Sequence, residues 1–522
     1  MDYLAIWIPL FPFIAAVYIG LGHLFGHING QQGESLSAGA TKNAIYLSCA
    51  AAVTLFVADL MDMNTGSKMV GEWFNSGSLI VNVSFMTTGF NVIVTALFSI
   101  ILVVIARFST NYIHKEAGFH RFFFVLNLFS SSMFLLVLSG NAVATFIGWE
   151  VAGLCSYLLI SFAYDRPIAA INATRVFVTN RIGDTGFILG ITFSFYYAGT
   201  TDWSSLNELA DRLSTPTVTV ISLCFIAAAM AKSAQLPFSP WLARAMEGPT
   251  PSSAVFYGSV MIHAGIFLII LLQPLIEKAP LAMGLLVGVG LLTAVYSYIV
   301  GLTQTDVKSS LCFAITGQLG LMFLECGLGL WELAMWHLCA HAIVRIYQVM
   351  TAPSLLHYVH GNPMKPVSSI IANKRWLYIA SLQRFWLDPI ADRTLVRPVH
   401  GLGYDLDRFD KNIVDRAMGD PVSSFTAISS LTELEKGLQE KRLNNLQSEF
   451  VRGKGIIGKL LEWIANIMSW FEERLVLRGI GVDIVDVGRN LGHAAITFEQ
   501  LILKPRYLVL FVFIVLMFAA SI

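Results

Sequence analysis

Apolar runs of about twenty residues recur along this 522-residue chain from its first residues to its last, separated by shorter polar stretches. Each run approaches the roughly 20 residues that an α-helix needs to cross a bilayer. The pattern predicts spanning helices at about 4–26, 44–61, 85–107, 121–139, 141–163, 174–198, 217–247, 252–273, 280–301, 307–327 and 331–357, with a last one at about 505–522. The seventh is expected to be broken, because Pro237 lacks the backbone donor that an uninterrupted helix uses. The predicted fold is therefore an all-α, polytopic membrane helix bundle of about 12 spans. Its parts are a transmembrane core at 1–358, a cytoplasmic or interfacial helical region at 359–504 and a C-terminal span at 505–522.

The pattern changes inside 359–504. Residues 404–418 and 428–443 read as short helices. From 455 to 476, Ile456, Leu460, Ile464, Ile467 and Phe471 recur at three-to-four spacing with Trp463 and Trp470, while Lys454, Lys459, Glu462, Glu472 and Arg474 fill the other face. Such an amphipathic helix suits the membrane surface or the flank of the bundle; packing against a soluble partner is the alternative.

Basic residues orient the spans. Loops after odd-numbered helices hold Arg107, Lys115, Arg121, Arg166, Lys308, Lys365, Lys374, Arg375 and Arg384; loops after even-numbered ones hold little beyond Lys68, Arg212 and Lys278. The positive-inside rule then places the N-terminus outside and 359–504 in the cytoplasm. The N-terminus carries Asp2 and no basic residue ahead of its apolar run, so a first span is expected there rather than a cleavable signal.

Composition agrees with a membrane protein: 55% of residues are hydrophobic, 13% are charged and the formal net charge is zero, which leaves no basic signature for a nucleic-acid partner. The six cysteines all fall in apolar segments without a CxxC or CxxH pattern, so neither a disulfide framework nor a metal centre is expected.

The informative residues are the charged ones inside the spans. Lys232 follows VISLCFIAAAMA and precedes the break at Pro237. An ammonium at the middle of a membrane helix costs roughly 2.5–3.5 kcal/mol unless it is paired or hydrated. Non-helical backbone at that depth persists only against protein or a wet cavity. Lys232 beside a break thus points to a site that handles ions or protons. Glu150, in FIGWEVAGLCSYLLISF, is either a helix-end carboxylate or the counterion of Lys232. Arg181 and Asp184 stand three apart and can pair on one helical turn, with Arg175 earlier on the same helix; a structural ion pair and a relay role are equally open. His263 lies in the helix after the break, and its ordinary pKa near ~6.5 suits proton exchange. Tyr257, six residues earlier, can donate a hydrogen bond or order a water. His337, His341 and Arg345 repeat every four residues and form one stripe, better read as a water-linked polar path than as a metal site. Asp306 and Lys308 open the tenth helix, where Asp306 suits a cap. No phosphate loop, dinucleotide fingerprint, nucleophile elbow or HExxH is present, so no autonomous catalytic site or cofactor is expected in the chain.

Taken in order, GWEVAGLCSYLLISF, NRIGD, AKSAQLPFSPWL, AMEGPTPSSA, QTDVKSSL, GQLGLMF and HLCAHAIVR resemble the proton-translocating antiporter-like family. That family includes the L-type membrane subunit of respiratory complex I and the large subunit of multisubunit Na⁺/H⁺ (Mrp) antiporters. The resemblance covers about residues 85–350. It places the family's conserved glutamate on Glu150, its broken-helix lysine on Lys232 and its paired histidines on His337 and His341. Together with His263 these are the expected proton relay, and Arg175, Arg181, Asp184, Tyr257, Arg345, Asp306 and Lys308 are the expected tuning or ion-pair residues.

The chain departs from the pattern at several points. Tyr257 stands where the family usually has histidine, His263 where it has lysine or threonine, Arg345 where it has lysine, and Arg244 where WLPDAM has an acid. Arginine stays protonated, so Arg345 tunes its neighbours without relaying a proton itself. Several distal spans of full-length members have no counterpart, and FWLDPIADRTLVRPVHGLGYDLDRFDKNIVDRAM is similar to the family's tail. This shortened form looks like the membrane subunit of two-component inorganic-carbon accumulation systems, the DabB type. The resemblance implies a bacterial inner-membrane location, and passage of protons or Na⁺ that energises a large cytoplasmic partner like a zinc β-carbonic anhydrase. A respiratory-complex or antiporter subunit, or a membrane scaffold with a vestigial ion path, are the alternatives.

Overall fold

The computed structural model describes residues 1–410 apart from 78, 305, 353–366 and 368. The expected helices at 428–443 and 455–476 and the last span at 505–522 lie outside the described residues. The chain divides into two compact units, Met1–Val396 and Arg397–Ile522. The described part of the second is mainly one helix, Arg397–Phe409, which begins ahead of the helix expected at 404–418.

The first unit is a helix bundle: α1 (Leu4–Leu24), α2 (Gly30–Leu60), α3 (Phe90–Tyr112), α4 (Phe119–Leu138), α5 (Ala142–Ile160) and α6 (Pro167–Ala198). It continues with α7 (Thr215–Lys232), the composite α8 (Thr250–Leu271), α9 (Pro280–Gly301), α10 (Val307–Gly327) and α11 (Trp331–Thr351). Among the described residues nine of these are long and apolar enough to cross a membrane; α6 and α11, which carry much of the site's charge, are not in that group. Two helices start well ahead of where the hydropathy pattern puts them. The polar stretch GQQGESLSAGATKN belongs to α2, and Pro167 at the first turn of α6 extends that helix toward Arg166.

A β-hairpin joins α2 to α3, with β1 (Ser67–Ser76) antiparallel to β2 (Leu79–Met86) and register shifts at Met69/Gly71 and Glu72/Phe74. By hydropathy alone LIVNVSFM merges with the apolar run that follows, which is why the third span was expected from 85. Gly89, at φ 72°, separates strand from helix. Asp2 anchors the hairpin's entry by accepting from the Thr65 amide (3.1 Å) and hydroxyl (2.9 Å). Burial pushes the Asp2 carboxyl up, but the bonds from Thr65 and Thr87 outweigh it and hold it below its ordinary value.

Hydrogen bonds, backbone at one face and side-chain at the other, gather the loops at two faces. Gly140 N–H donates to Ser84 O (2.9 Å) and Trp203 N–H to Gly140 O (3.0 Å), which joins the hairpin, the α4–α5 turn and the α6–α7 connection. At the opposite face Arg166 meets Glu247 (3.1 Å), and Thr250 meets both Tyr112 (3.0 Å) and Lys308 (3.1 Å). These are called the hairpin face and the break face below.

The expected break in the seventh helix is present, and it falls ahead of the proline. α7 ends at Lys232, Ala234 takes a left-handed φ of 51°, a cis peptide joins Leu236 to Pro237, and helix resumes at Pro240–Arg244. α8 is interrupted as well. A helical turn at Thr250–Ser253 passes into a π-helical turn at Ala254–Ser259, a 3₁₀ turn at Met261–His263 and an α-helix from Ala264 to Leu271. The two interruptions press together. A Cβ on Gly265 would lie 2.4 Å from Ser233 Oγ and 2.5 Å from the Ala229 carbonyl oxygen.

Beyond the break face an arm folds back onto the bundle. It holds short helices at Arg375–Leu382 and Leu387–Ala391, joined through Arg384, Phe385 and Trp386, whose φ values are 52°, 53° and 55°. Phe385 and Leu387 pack with Tyr296, Val300 and Phe313 of α9 and α10. Ser381 donates to the Ile299 carbonyl (2.9 Å). The first compact unit thus includes the arm and runs through Val396.

Candidate functional site: a buried charge and histidine path

Lys232, at the C-terminus of α7, is 1% exposed. Its Nζ donates to the Trp149 carbonyl oxygen at 3.0 Å and lies 5.0 Å from that residue's ring centroid. Gly153 of α5 lies against both cations: a Cβ there would sit 3.1 Å from Arg181 Nη2 and 3.4 Å from Lys232 Nζ.

The carboxylates are arranged differently from the simplest expectation. Glu150 pairs with Arg181 rather than with Lys232. Arg181 also lies 2.8 Å from Asp184, the expected i,i+3 pair, close in space without the alignment of a hydrogen bond. Asp184 accepts from the Trp149 indole N–H at 2.7 Å. Trp149 therefore bridges the two parts, with its carbonyl on the lysine and its indole on the carboxylate. The physical reason is reach and charge type. A guanidinium presents donors to two acceptors at once, whereas the single ammonium is taken up by the Trp149 carbonyl.

Across the break, Ser233 Oγ donates to the Ile262 carbonyl (2.7 Å), which ties the residue after Lys232 to the one before His263. His263 Nε2 meets His341 Nδ1 at 2.8 Å, and Arg345 donates from Nε to His341 Nε2 at 3.1 Å. Arginine can only donate, so His341 Nε2 is an acceptor and its proton resides on Nδ1. The histidine bond then runs from His341 to His263. Arg345 is held by Gln348 (2.7 Å) and the Ala314 carbonyl (3.2 Å).

His337 completes the stripe without a direct bond to His341; the ring centroids are 6.2 Å apart. Its Nδ1 faces both oxygens of Glu325 at 2.9 and 3.0 Å, and its Nε2 faces Gln318 Oε1 at 2.9 Å. Glu325 and Gln318 are not among the residues picked out by the sequence pattern. The available signal was a carboxylate inside GQLGLMFLECGLGLW, near a helix end where it reads as interfacial.

The remaining candidates are structural in placement. Asp306 caps α10 by accepting from the Ser309 amide (2.9 Å), and Lys308 donates to Thr250 Oγ1 (3.1 Å). Arg175 pairs with Asp392 of the arm (2.8 Å). Arg244, standing where the related pattern has an acid, pairs with Asp388 of the arm (2.9 Å), and Arg384 lies 3.4 Å from the same oxygen. Tyr257 is buried in the π-helical turn with its hydroxyl unpartnered among the described residues, as are Gln235 Oε1 and Ser297 Oγ. Buried polar atoms of this kind are where internal water binds.

An interrupted membrane helix ending in a buried lysine, next to a paired-histidine helix, defines an antiporter-like membrane bundle. Comparison with known proteins supports that class. Residues 139–363 match the family described as NADH:quinone oxidoreductase/Mrp antiporter, transmembrane, and residues 73–123 match the N-terminus of complex I chain 5. NAD(P)H-quinone oxidoreductase chain 5 of Synechocystis sp. is 32% identical over 69% of this chain and 53% of its own length. The chain spans about half the length of the curated relatives it matches. A chain in the Mrp complex of Dietzia sp. DQ12-45-1b superposes with a TM-score of 0.58 at 25% identity, over 66% of this chain and 37% of that one. A chain of the membrane-bound sulfane sulfur reductase, an archaeal respiratory membrane complex, shares the fold with a TM-score of 0.59 at 18% identity, over 75% of this chain and 82% of its own.

Proposed function

We propose that the chain is a proton-conducting membrane subunit that uses an ion gradient to energise a partner, with Lys232, His263 and His341 as its central relay. The observation that carries this reading is the tie across the paired helix interruptions. Lys232 ends α7, its neighbour Ser233 bonds to α8 beside His263, and His263 bonds to His341. Lysine and neutral imidazole can each take up and give back a proton, and water at Gln235, Ser297 and Tyr257 would link the groups that do not touch. In this reading Glu150, Arg181 and Asp184 set the field around Lys232 through Trp149, and Arg345 biases His341.

The partner we propose is a cytoplasmic, carbonic-anhydrase-like zinc protein, so that ion flow drives CO₂ hydration in one direction. The resemblance to the carbon-accumulation type supports it, together with the positive-inside placement of 359–504 on the partner's side of a bacterial inner membrane. A second reading, a subunit of a respiratory or Mrp-type complex, is favoured by the names of the relatives. Affinity purification of the intact assembly separates the two: one large zinc-bearing soluble partner supports the first, and a set of further membrane subunits supports the second.

The relay is tested by Lys232→Ala in the reconstituted assembly. Proton uptake into liposomes is expected to fall to background while membrane insertion and partner binding persist. Wild-type flux in that variant would remove the relay.

A further inference from the structure

His337 has an acceptor at each ring nitrogen, the Glu325 carboxylate at Nδ1 and the Gln318 carbonyl oxygen at Nε2. A neutral imidazole has only one N–H, so this pattern matches an imidazolium with both nitrogens donating and Glu325 as its counterion. The pair is half-buried, with side-chain exposures of 20% for His337 and 16% for Glu325. It also sits near the ends of its helices: Glu325 is two residues from the end of α10, and His337 six residues into α11. At roughly 1.5 Å per residue, His337 lies about 9 Å along α11 from the α10–α11 turn. Following the alternating spans, that turn belongs to the hairpin face, opposite the break.

We infer that Glu325 and His337 form the terminal proton-exchange pair of the path, opening it to water at the hairpin face. The inference rests on the proton-conducting reading above. Starting from neutral His337 protonated at Nε2, Glu325 takes a proton from water and gives it to His337 Nδ1, which forms the imidazolium and regenerates the carboxylate. His337 then releases its Nε2 proton inward past Gln318 by way of water, because both nitrogens of His341 are already bonded, and exchange with water returns the ring to its Nε2–H tautomer. One proton enters for each one passed on, and no electron moves. The direction agrees with the His341-to-His263 bond that Arg345 fixes. The path then needs no further helix to reach water at this face, since α10 and α11 supply the terminus themselves. The charged pair also fits its place: a carboxylate and imidazolium neutralise each other where a lone charge would be costly.

The test uses the purified assembly in liposomes, with Lys232→Ala measured in parallel. Glu325→Gln keeps the shape and removes the charge, and its proton flux is expected to drop about tenfold or more, as for loss of a proton-transfer group. Glu325→Asp is expected to retain most of the flux. Glu325→Cys is expected to be as slow as Glu325→Gln and to recover when a carboxylate-bearing methanethiosulfonate, which can be reversibly protonated, is applied from the hairpin face. A neutral methanethiosulfonate of similar size, or the anionic one applied from the break face, is expected to leave it slow. Wild-type protein treated identically controls for the six native cysteines. A merely structural role would not give recovery that depends on both charge and side. Wild-type flux in Glu325→Gln, or equal recovery with the neutral reagent, overturns the inference. If Lys232→Ala is silent while Glu325→Gln conducts, only this terminus fails; if Lys232→Ala conducts, the relay and the terminus fail together.

Discussion

Arg345 acts on a hydrogen bond in which it takes no part. Its Nε–H occupies His341 Nε2, so the only proton His341 can offer His263 is the one on Nδ1. That assignment is open to measurement. In ¹⁵N solid-state spectra of the reconstituted assembly, His341 is expected to be protonated at Nδ1, and Arg345→Met is expected to abolish the preference; an Nε2-protonated His341 in the wild type would contradict it. The residue scale is also where the sequence was most and least legible. Lys232 and His341 stood out because charge or imidazole in an apolar run is rare and must be satisfied. The partner of Glu150 was not legible, since Arg181 and Lys232 are both in reach on paper and only the helix ends decide between them. Glu325 escaped because a carboxylate two residues from a helix end resembles an interfacial one until His337 is seen against it.

At the scale of elements, the spans were legible from their length and apolarity. The hairpin and the π-helical turn of α8 were not. The strands merge with the apolar run of α3, and the local composition of TPSSAVFYGSV carries no mark of a π turn, which packs against α3, α10 and α11. The contact between Gly265 and the end of α7 gives the packing of α8 on α7 a test. Gly265→Val places carbon where the Ala229 carbonyl and Ser233 hydroxyl now lie, so α7 and α8 must separate. Overpacking of this type costs about 1–3 kcal/mol. The variant is expected to unfold in detergent at a lower temperature than wild type and to lose proton flux, while Gly284→Val, where a Cβ meets nothing, is expected to do neither. Equal melting of the two variants would show that the helices do not meet there.

At the scale of the molecule, the arm closes the break face through charge. Asp388 lies between Arg244 and Arg384, and Asp392 takes Arg175. None of this was legible, because Arg244 and Asp388 are 144 residues apart in sequence and look like solvated loop charges. These groups are partly exposed, so the pairing is expected to contribute only about 1 kcal/mol, and its loss in Asp388→Asn to raise the population of the detached arm roughly fivefold. Limited trypsin digestion after Arg384 and Arg393 should quicken accordingly, with the bundle intact; an unchanged cleavage rate would mean the arm is held by its apolar contacts alone.

The two helix interruptions have a mechanical consequence. At the level of Lys232 and His263 neither α7 nor α8 has an unbroken ladder of backbone hydrogen bonds, and Ser233 fastens one to the other. The stretch from 233 to 263 is therefore held in place by the Ser233 bond and by side-chain packing rather than by a continuous backbone ladder in either helix. Its inner end rests beside the relay lysine, and its outer end carries Arg244 against the arm. Under the proposed function, a change of charge beside Lys232 would be passed along this stretch to Arg244 and the arm it holds.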